Sequence, residues 1–411
     1  MAQIHLRMSD SASRRPASRV TLLALTLGHG CADLCSGALF ALLPFLVVER
    51  NYSYAAAGVF ALTISLAHAV FQPLMGAHGD RSEAHWLLPT GLVLTGLGMG
   101  AVGLVTSYPL TLIAVAVCSA GAAGYHPEGA RWARHASSSR VTADMSVFSV
   151  GGGVGYAVGP LVVAAVLAPL GLQGTLVIAL IPISAAVLVA AALRRFRLKP
   201  LVDHQRHGQA QARGSEWGPF AYLVALFCVA SGVSTGLLTY VALFLVEARG
   251  TSPAASNVMT SVLLAAAAAG TLLGGLAAHR LGRRLVMIAP QLILIPAIAL
   301  LHSLSYTWMI PLVILIGICV NANVSVALVL AQEYLPAHMG LATGLTIGLC
   351  GGVGGLIVAA LGLLGDAAGP SSVLYALAAL PLVVAVLAAR LPRPAAAPPG
   401  TVWSLRVEAG R

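Results

Sequence analysis

The feature that most constrains this chain is a succession of apolar runs, each about 20 residues long, broken by short charged or polar punctuation. A run of that length, at about 1.5 Å rise per residue, spans the roughly 30 Å hydrocarbon core of a bilayer. Twelve such runs can be read, near 20–46, 54–77, 86–106, 109–127, 142–168, 173–193, 218–246, 254–278, 285–304, 307–332, 339–364 and 371–389. They are rich in Ala, Leu, Val and Gly and lack the short alternating segments of a membrane barrel. The pattern predicts an all-α membrane protein of twelve transmembrane helices. Only 9% of the residues are charged and 58% are hydrophobic, so lipid rather than water is the solvent for most of this surface. The first run follows Arg14, Arg15 and Arg19 as a signal peptide would. It is too long for one and carries His29 and Asp33 at its centre, so it is read as a retained span.

Basic residues set the orientation. With an even number of spans both termini lie on one side. The segments on that side hold Arg81, Arg131, Arg134, Arg194, Arg280, Arg283, Arg390 and most of the remaining basic residues, whereas the other side has Arg50 and Arg249. The bias places both termini in the cytoplasm. The net charge of +10 is then a topology signal scattered over short loops, and no nucleic-acid partner is expected. All the cysteines, Cys31, Cys35, Cys118, Cys228, Cys319 and Cys350, fall inside apolar runs, which argues against a disulfide framework. There is no GxxxxGK[ST] loop for a nucleotide, no cofactor signature, no ordered nucleophile–base set and no convergent metal-ligand spacing. An enzyme is not expected, and energy would come from an ion gradient.

One internal repeat is visible. Gly76 and Arg81 are matched by Gly275 and Arg280, and Gly152-Gly153-Val154-Gly155 by Gly351-Gly352-Val353-Gly354, both pairings displaced by 199 residues. Spans 1–6 and 7–12 therefore read as copies: a bundle over 1–193, a polar basic linker over 194–217, a second bundle over 218–389 and a Pro/Ala-rich disordered tail over 390–411.

Parallel six-helix repeats with cargo bound at their interface resemble the major facilitator superfamily. Gly76-Ala77-His78-Gly79-Asp80-Arg81 is similar to the first half of that superfamily's loop 2–3 signature, and Gly275 through Arg280 with Gly282, Arg283 and Arg284 to its C-terminal copy. Gly155-Tyr156-Ala157-Val158-Gly159-Pro160 resembles the GxxxGP signature of proton-coupled antiporters; the same small residues also suit plain helix packing. A narrower resemblance is to the fosmidomycin-resistance family. It rests on His29 and Asp33, Gln72-Pro73, His126-Pro127-Glu128 with Arg131 and Arg134, and Gln332-Glu333-Tyr334-Leu335-Pro336 before Gly340 to Leu345. That resemblance implies a drug exporter of the bacterial inner membrane driven by proton entry.

Ionisable and polar groups inside a bilayer are costly, so each is a functional candidate. His29 and Asp33, four residues apart, share one face of span 1 and with Glu128 are the candidates for proton coupling; an ordering His–Asp hydrogen bond is the alternative. Polar residues concentrate in spans 1, 4, 7 and 10, as if those four line a central cavity. Gln72, His68, Tyr125, His126, Tyr240, Asn321 and Asn323 are the cavity candidates, with His68 equally readable as a packing residue. Asp80, Arg81, Arg131, Arg134, Arg280, Arg283 and Glu333 are the gating candidates, and Gly155, Gly159 and Pro160 the packing motif. The expectation is a monomeric proton-coupled exporter whose partners are protons, lipid and a small amphipathic or anionic compound. An importer of a nutrient or organic anion, and a non-transporting receptor or scaffold, are the alternatives.

Overall fold

The computed structural model describes residues 15–81, 85–137, 141–196 and 215–392. The N-terminal half contains α1 (Arg15–Arg50), α2 (Tyr54–Arg81), α3 (Leu87–Leu104), α4 (Tyr108–Ala136), α5 (Val141–Leu170) and α6 (Thr175–Phe196). The C-terminal half contains α7 (Trp217–Arg249), α8 (Pro253–Leu281), α9 (Arg283–Leu300), α10 (Tyr306–Asn321), α11 (Val324–Tyr334), α12 (Met339–Gly344), α13 (Cys350–Ala368) and α14 (Pro370–Ala389). Eleven stretches among the described residues are long and apolar enough to cross a membrane. One of them, Asp144–Arg194, is α5 and α6 joined by a tight 3-10 turn at Gly171–Gly174. Gly171 takes φ +59°, a left-handed conformation open to glycine at little cost, and the chain reverses there. Counting α5 and α6 separately, the described residues hold twelve spans, the number the apolar runs predict.

Two spans are not single rods. The tenth is α10 and α11 with a break at Ala322 and Asn323, where the glycine Gly274 of α8 lets its backbone lie directly against Ala322. The eleventh begins as α12, passes through a π turn at Leu345–Leu349 and continues as α13. Most of the linker and tail expected from the sequence, residues 197–214 and 393–411, falls outside the described residues.

The repeat extends to individual contacts. Arg50 donates to Gly103 O at 2.9 Å, and Arg249 donates to His302 O, both partners displaced by 199 residues. Ser53 Oγ accepts from Ala56 N at 3.1 Å, capping α2, and Ser252 Oγ accepts from Ala255 N at 3.2 Å, capping α8, at the same displacement.

The two ends of the bundle differ. At the end away from the termini one continuous apolar core joins both halves, from Leu39, Leu43 and Leu46 of α1 and Phe60 of α2 to Leu237 and Phe244 of α7, Met259 of α8 and Val358 of α13. At the terminal end the core divides in two. Leu25, Tyr125, Trp132 and Phe148 form a cluster within the N-terminal half, and Phe220, Met287, Leu330 and Tyr334 a separate one within the C-terminal half. The halves are sealed together at the far end and part toward the terminal end. Large apolar side chains such as Leu180, Val187, Leu272 and Leu363 point outward, a surface suited to lipid.

Candidate functional site

The ionisable side chains of α1 and α4 meet where the N-terminal half faces the divide. Small residues make this possible. Gly30 and Gly37 of α1 lie against Gly151, Gly155 and Tyr156 of α5, and Gly155 and Gly159 are in turn pressed onto the α1 backbone at Gly30, Leu34 and Ala38. The helix continues through Pro160. A Cβ on Gly152 would stand 2.5 Å from Asp33 Oδ2 and 2.7 Å from His29 Nε2, so glycine there leaves room for the pair.

The geometry of the cluster constrains where its protons can sit. His29 Nδ1 lies 2.9 Å from the carbonyl of Phe148, which can only accept, so Nδ1 carries hydrogen. His29 Nε2 lies 3.3 Å from Asp33 Oδ2 and 3.1 Å from His126 Nδ1. His126 Nε2 lies 3.3 Å from Asp33 Oδ1. With the His126 proton on Nε2, facing the Asp33 carboxylate at ion-pair distance, His126 Nδ1 is an acceptor. His29 Nε2 then faces acceptors on both sides, and a proton on it matches them. In that arrangement the cluster holds one proton beyond two neutral imidazoles and a carboxylate. With that proton the cluster is electrically neutral, the state a poorly solvated site favours. His29 also stacks on Phe148, ring centroids 4.3 Å apart. Side-chain exposure of 12% for His29, 17% for Asp33 and 21% for His126 leaves the cluster in reach of water.

His29, Asp33 and His126 are also the one group among the described residues that could gather on a metal ion, which corrects the expectation that no ligand set converges. The contacts themselves suit proton sharing better: His126 uses a different ring nitrogen toward each neighbour, not one nitrogen toward a common centre. His68 of α2 stands beside this group, its ring 6.1 Å from that of His126, while its Nδ1 is tied to Ile64 O at 3.1 Å.

Glu128 lies elsewhere. It is 2% exposed and its Oε1 accepts from Arg131 at 2.8 Å and from the Trp132 indole at 2.6 Å. This is a buried ion pair internal to α4.

Several cavity candidates are placed otherwise than expected. Tyr125 is fully buried and donates to Leu25 O at 2.8 Å, so it packs α4 on α1. Tyr240 is buried in the far seal and donates to Val358 O at 2.7 Å. In both, the hydroxyl that marks the residue as polar in the sequence is consumed by a backbone carbonyl. Asn323 is 1% exposed with both amide atoms unpartnered, in the break of the tenth span. Gln72 is half-buried on α2. Asn321 does line a cavity, of about 230 Å³, together with Tyr156, Ser234, Leu237, Leu264 and Val320. Its walls are α5, α7, α8 and α10, so α5 and α8 join two of the four spans expected. Tyr156, which the sequence shows only within a packing motif, is a lining residue. A larger cavity, about 600 Å³, lies at the terminal end of the C-terminal half between α9, α11 and α14.

Of the gating candidates, Arg131, Arg283 and Glu333 are engaged within their own halves. Arg283 and Glu333 form a two-pronged ion pair at 2.5 and 2.9 Å between α9 and α11. Arg134 and Arg280 are exposed. The side chains of Asp80 and Arg81 lie outside the described residues, although the backbone there is the last turn of α2.

Comparison with known proteins places the chain. A profile of the Major Facilitator Superfamily matches residues 25–359, and again 222–407. Fosmidomycin resistance protein of Escherichia coli (strain K12) is 30% identical over 369 residues, covering 88% of this chain and 90% of that protein. The MFS-type transporter YfnC of Bacillus subtilis (strain 168) is 28% identical over 394 residues, covering 94% and 96%. Among solved structures, a bacterial homolog of the human lysosomal transporter Spinster, inward-facing and unoccupied, superposes with a TM-score of 0.79 at 17% identity over 91% of this chain and 96% of that one. The nucleoside transporter NupG does so at 0.69 and 17% identity over 90% and 98%. The chain belongs to the major facilitator superfamily of membrane transporters and, within it, to the family of fosmidomycin resistance protein.

Proposed function

We propose that this transporter is a proton-coupled exporter of a small amphipathic or anionic compound in the bacterial inner membrane, with both termini in the cytoplasm. The observation that carries this reading is the cluster of His29, Asp33 and His126, whose facing nitrogen and carboxylate atoms, 3.1–3.3 Å apart, are matched when they share one transferable proton. A group that holds a proton at the divide between two rocking halves loads it from one side of the membrane and releases it to the other. The similarity to fosmidomycin resistance protein supports export, and the basic residues of the terminal end support its cytoplasmic placement. On that placement the bundle is open inward and sealed outward.

In this scheme Asp33 and His29 exchange the proton, with His126 as acceptor and His68 as a neighbour. Glu128 holds Arg131 and Trp132 in place rather than joining the relay. Asn321, Tyr156 and Ser234 face the cargo, and the Arg283–Glu333 pair and the terminal ends of α2, α4 and α8 form the inward gate. The transporter works as a monomer. The test is proton movement in inside-out vesicles on addition of a panel of compounds that includes a phosphonate. Compound-dependent proton release from the vesicle interior is expected with the wild type. Compound accumulation without proton movement would refute coupling.

A further inference from the structure

At the exposed rim of the far seal two carboxylates of the C-terminal half, Glu247 and Asp366, face Tyr54 of the N-terminal half, and Asp366 reaches across to its backbone. Asp366 lies in the last turn of α13, in the C-terminal half. Its Oδ1 accepts from the backbone N–H of Tyr54 at 2.7 Å and its Oδ2 from that of Ala55 at 3.1 Å. These are free N–H groups of the first turn of α2, in the N-terminal half, at the positive end of that helix dipole. The approach depends on glycine: a Cβ on Gly365 would stand 2.9 Å from Tyr54 Cβ, and one on Gly362 would stand 2.8 Å from Ala55 Cα. The other amides of that turn are met locally, Ala56 N by Ser53 Oγ and Ala57 N by the Ser53 carbonyl, and from the opposite half the Tyr240 hydroxyl donates to Tyr54 O at 3.4 Å.

A contact between halves biases alternating access only if it exists in one state and not in the other. This one qualifies, because rocking the halves apart at the far end removes the N-terminus of α2 from Asp366. It has company in Asn257 of α8, whose amide donates to Ala41 O of α1 at 2.9 Å. That bond is neutral, whereas Asp366 contributes a charged acceptor to two donors, which is the stronger kind of hydrogen bond.

We propose that Asp366 is the latch of the far gate, holding the two halves closed at that end by capping α2 from the opposite half. It acts independently of the proton site, and removing it shifts the transporter toward the state open at the far end. The equilibrium should move by on the order of tenfold, the usual worth of a charged helix cap.

Hydrogen–deuterium exchange of the full-length protein in lipid nanodiscs tests this. Asp366→Asn and Asp366→Ala should raise exchange on the order of tenfold at the far ends of α1 (residues 38–46) and α8 (residues 253–264), which do not touch Asp366. The terminal ends of α4 (125–136) and α11 (324–334) should become more protected as they close on each other. Asp366→Glu, which restores the carboxylate, should return most of the wild-type pattern. A rise confined to residues 53–58 would reduce Asp366 to a local cap and overturn the latch. A rise at both ends together, which signals loss of the fold, or no change at all, would overturn it too.

Discussion

The two halves descend from one design yet handle charge differently. Displaced by 199 residues, the positions of His29, Asp33 and His126 become Cys228, Gly232 and Ser325. The N-terminal half thus holds its imidazoles and carboxylate at the divide, where the C-terminal half holds a thiol, a glycine and a hydroxyl. The polar groups that the C-terminal half does present near the divide, Ser234 and Asn321, are neutral. On the proposed function, matching helices with unlike side chains would separate two tasks that one symmetric cavity would mix. A proton carrier needs groups that change charge, and a recognition surface works best with groups that do not. What the halves keep in common is scaffold: the Arg50–Gly103 and Arg249–His302 ties and the Ser53 and Ser252 caps.

The comparison breaks most sharply at Asp33. Asp33→Asn removes the carboxylate charge and turns one of its two acceptor oxygens into a donor, and should lower compound-driven proton flux by at least about a hundredfold, the usual loss when a proton-transfer group is deleted. Protein abundance in the membrane should stay the same, as a blot of the same vesicles checks. Next comes Gly152→Ala, whose added methyl has to displace His29 or Asp33. It should cut proton flux by roughly tenfold and lower thermal stability by about 1–3 kcal/mol, the cost of overpacking, read by melting the purified protein. Asn321→Leu is the complementary change in the other half. Loss of a buried hydrogen bond to cargo should raise KM for transport by about tenfold while the proton leak of the empty carrier stays at the wild-type level. If Asn321→Leu instead abolished the leak, the division of tasks between halves would be wrong. The smallest effect is expected at Arg283→Ala, because an exposed ion pair contributes about 1 kcal/mol or less. Transport rate should change by no more than a few-fold, with salt reducing the difference.

Much of this arrangement is legible in the sequence because membranes impose simple rules. Twelve apolar runs of spanning length give the spans, and a common displacement gives the two halves. The four-residue spacing of His29 and Asp33 gives one face of one helix. The rest depends on packing between helices far apart in the chain. His126 meets Asp33 only because α4 crosses α1, and the Phe148 carbonyl meets His29 only because glycines bring α5 against α1. Tyr125 and Tyr240 mislead because a hydroxyl in an apolar run looks like a cavity group until its carbonyl partner is seen. Asp366 is overlooked for the opposite reason. It lies exposed at the end of an apolar run, where a charge reads as an unpaired helix end, and its partner is a backbone amide more than 300 residues away. A lone acidic residue at the far end of a span, in a stretch spaced by glycines, is the signal that could have singled it out.

Whether His29 and Asp33 share one transferable proton can be read without the cargo, by histidine-selective ¹⁵N NMR of the wild type and Asp33→Asn in nanodiscs at neutral pH. Wild-type His29 should show hydrogen on both ring nitrogens, and Asp33→Asn, which removes the charge that holds the second proton, should leave hydrogen on Nδ1 alone. A His29 signal with hydrogen on Nδ1 and none on Nε2 in wild type and variant alike would contradict a shared proton.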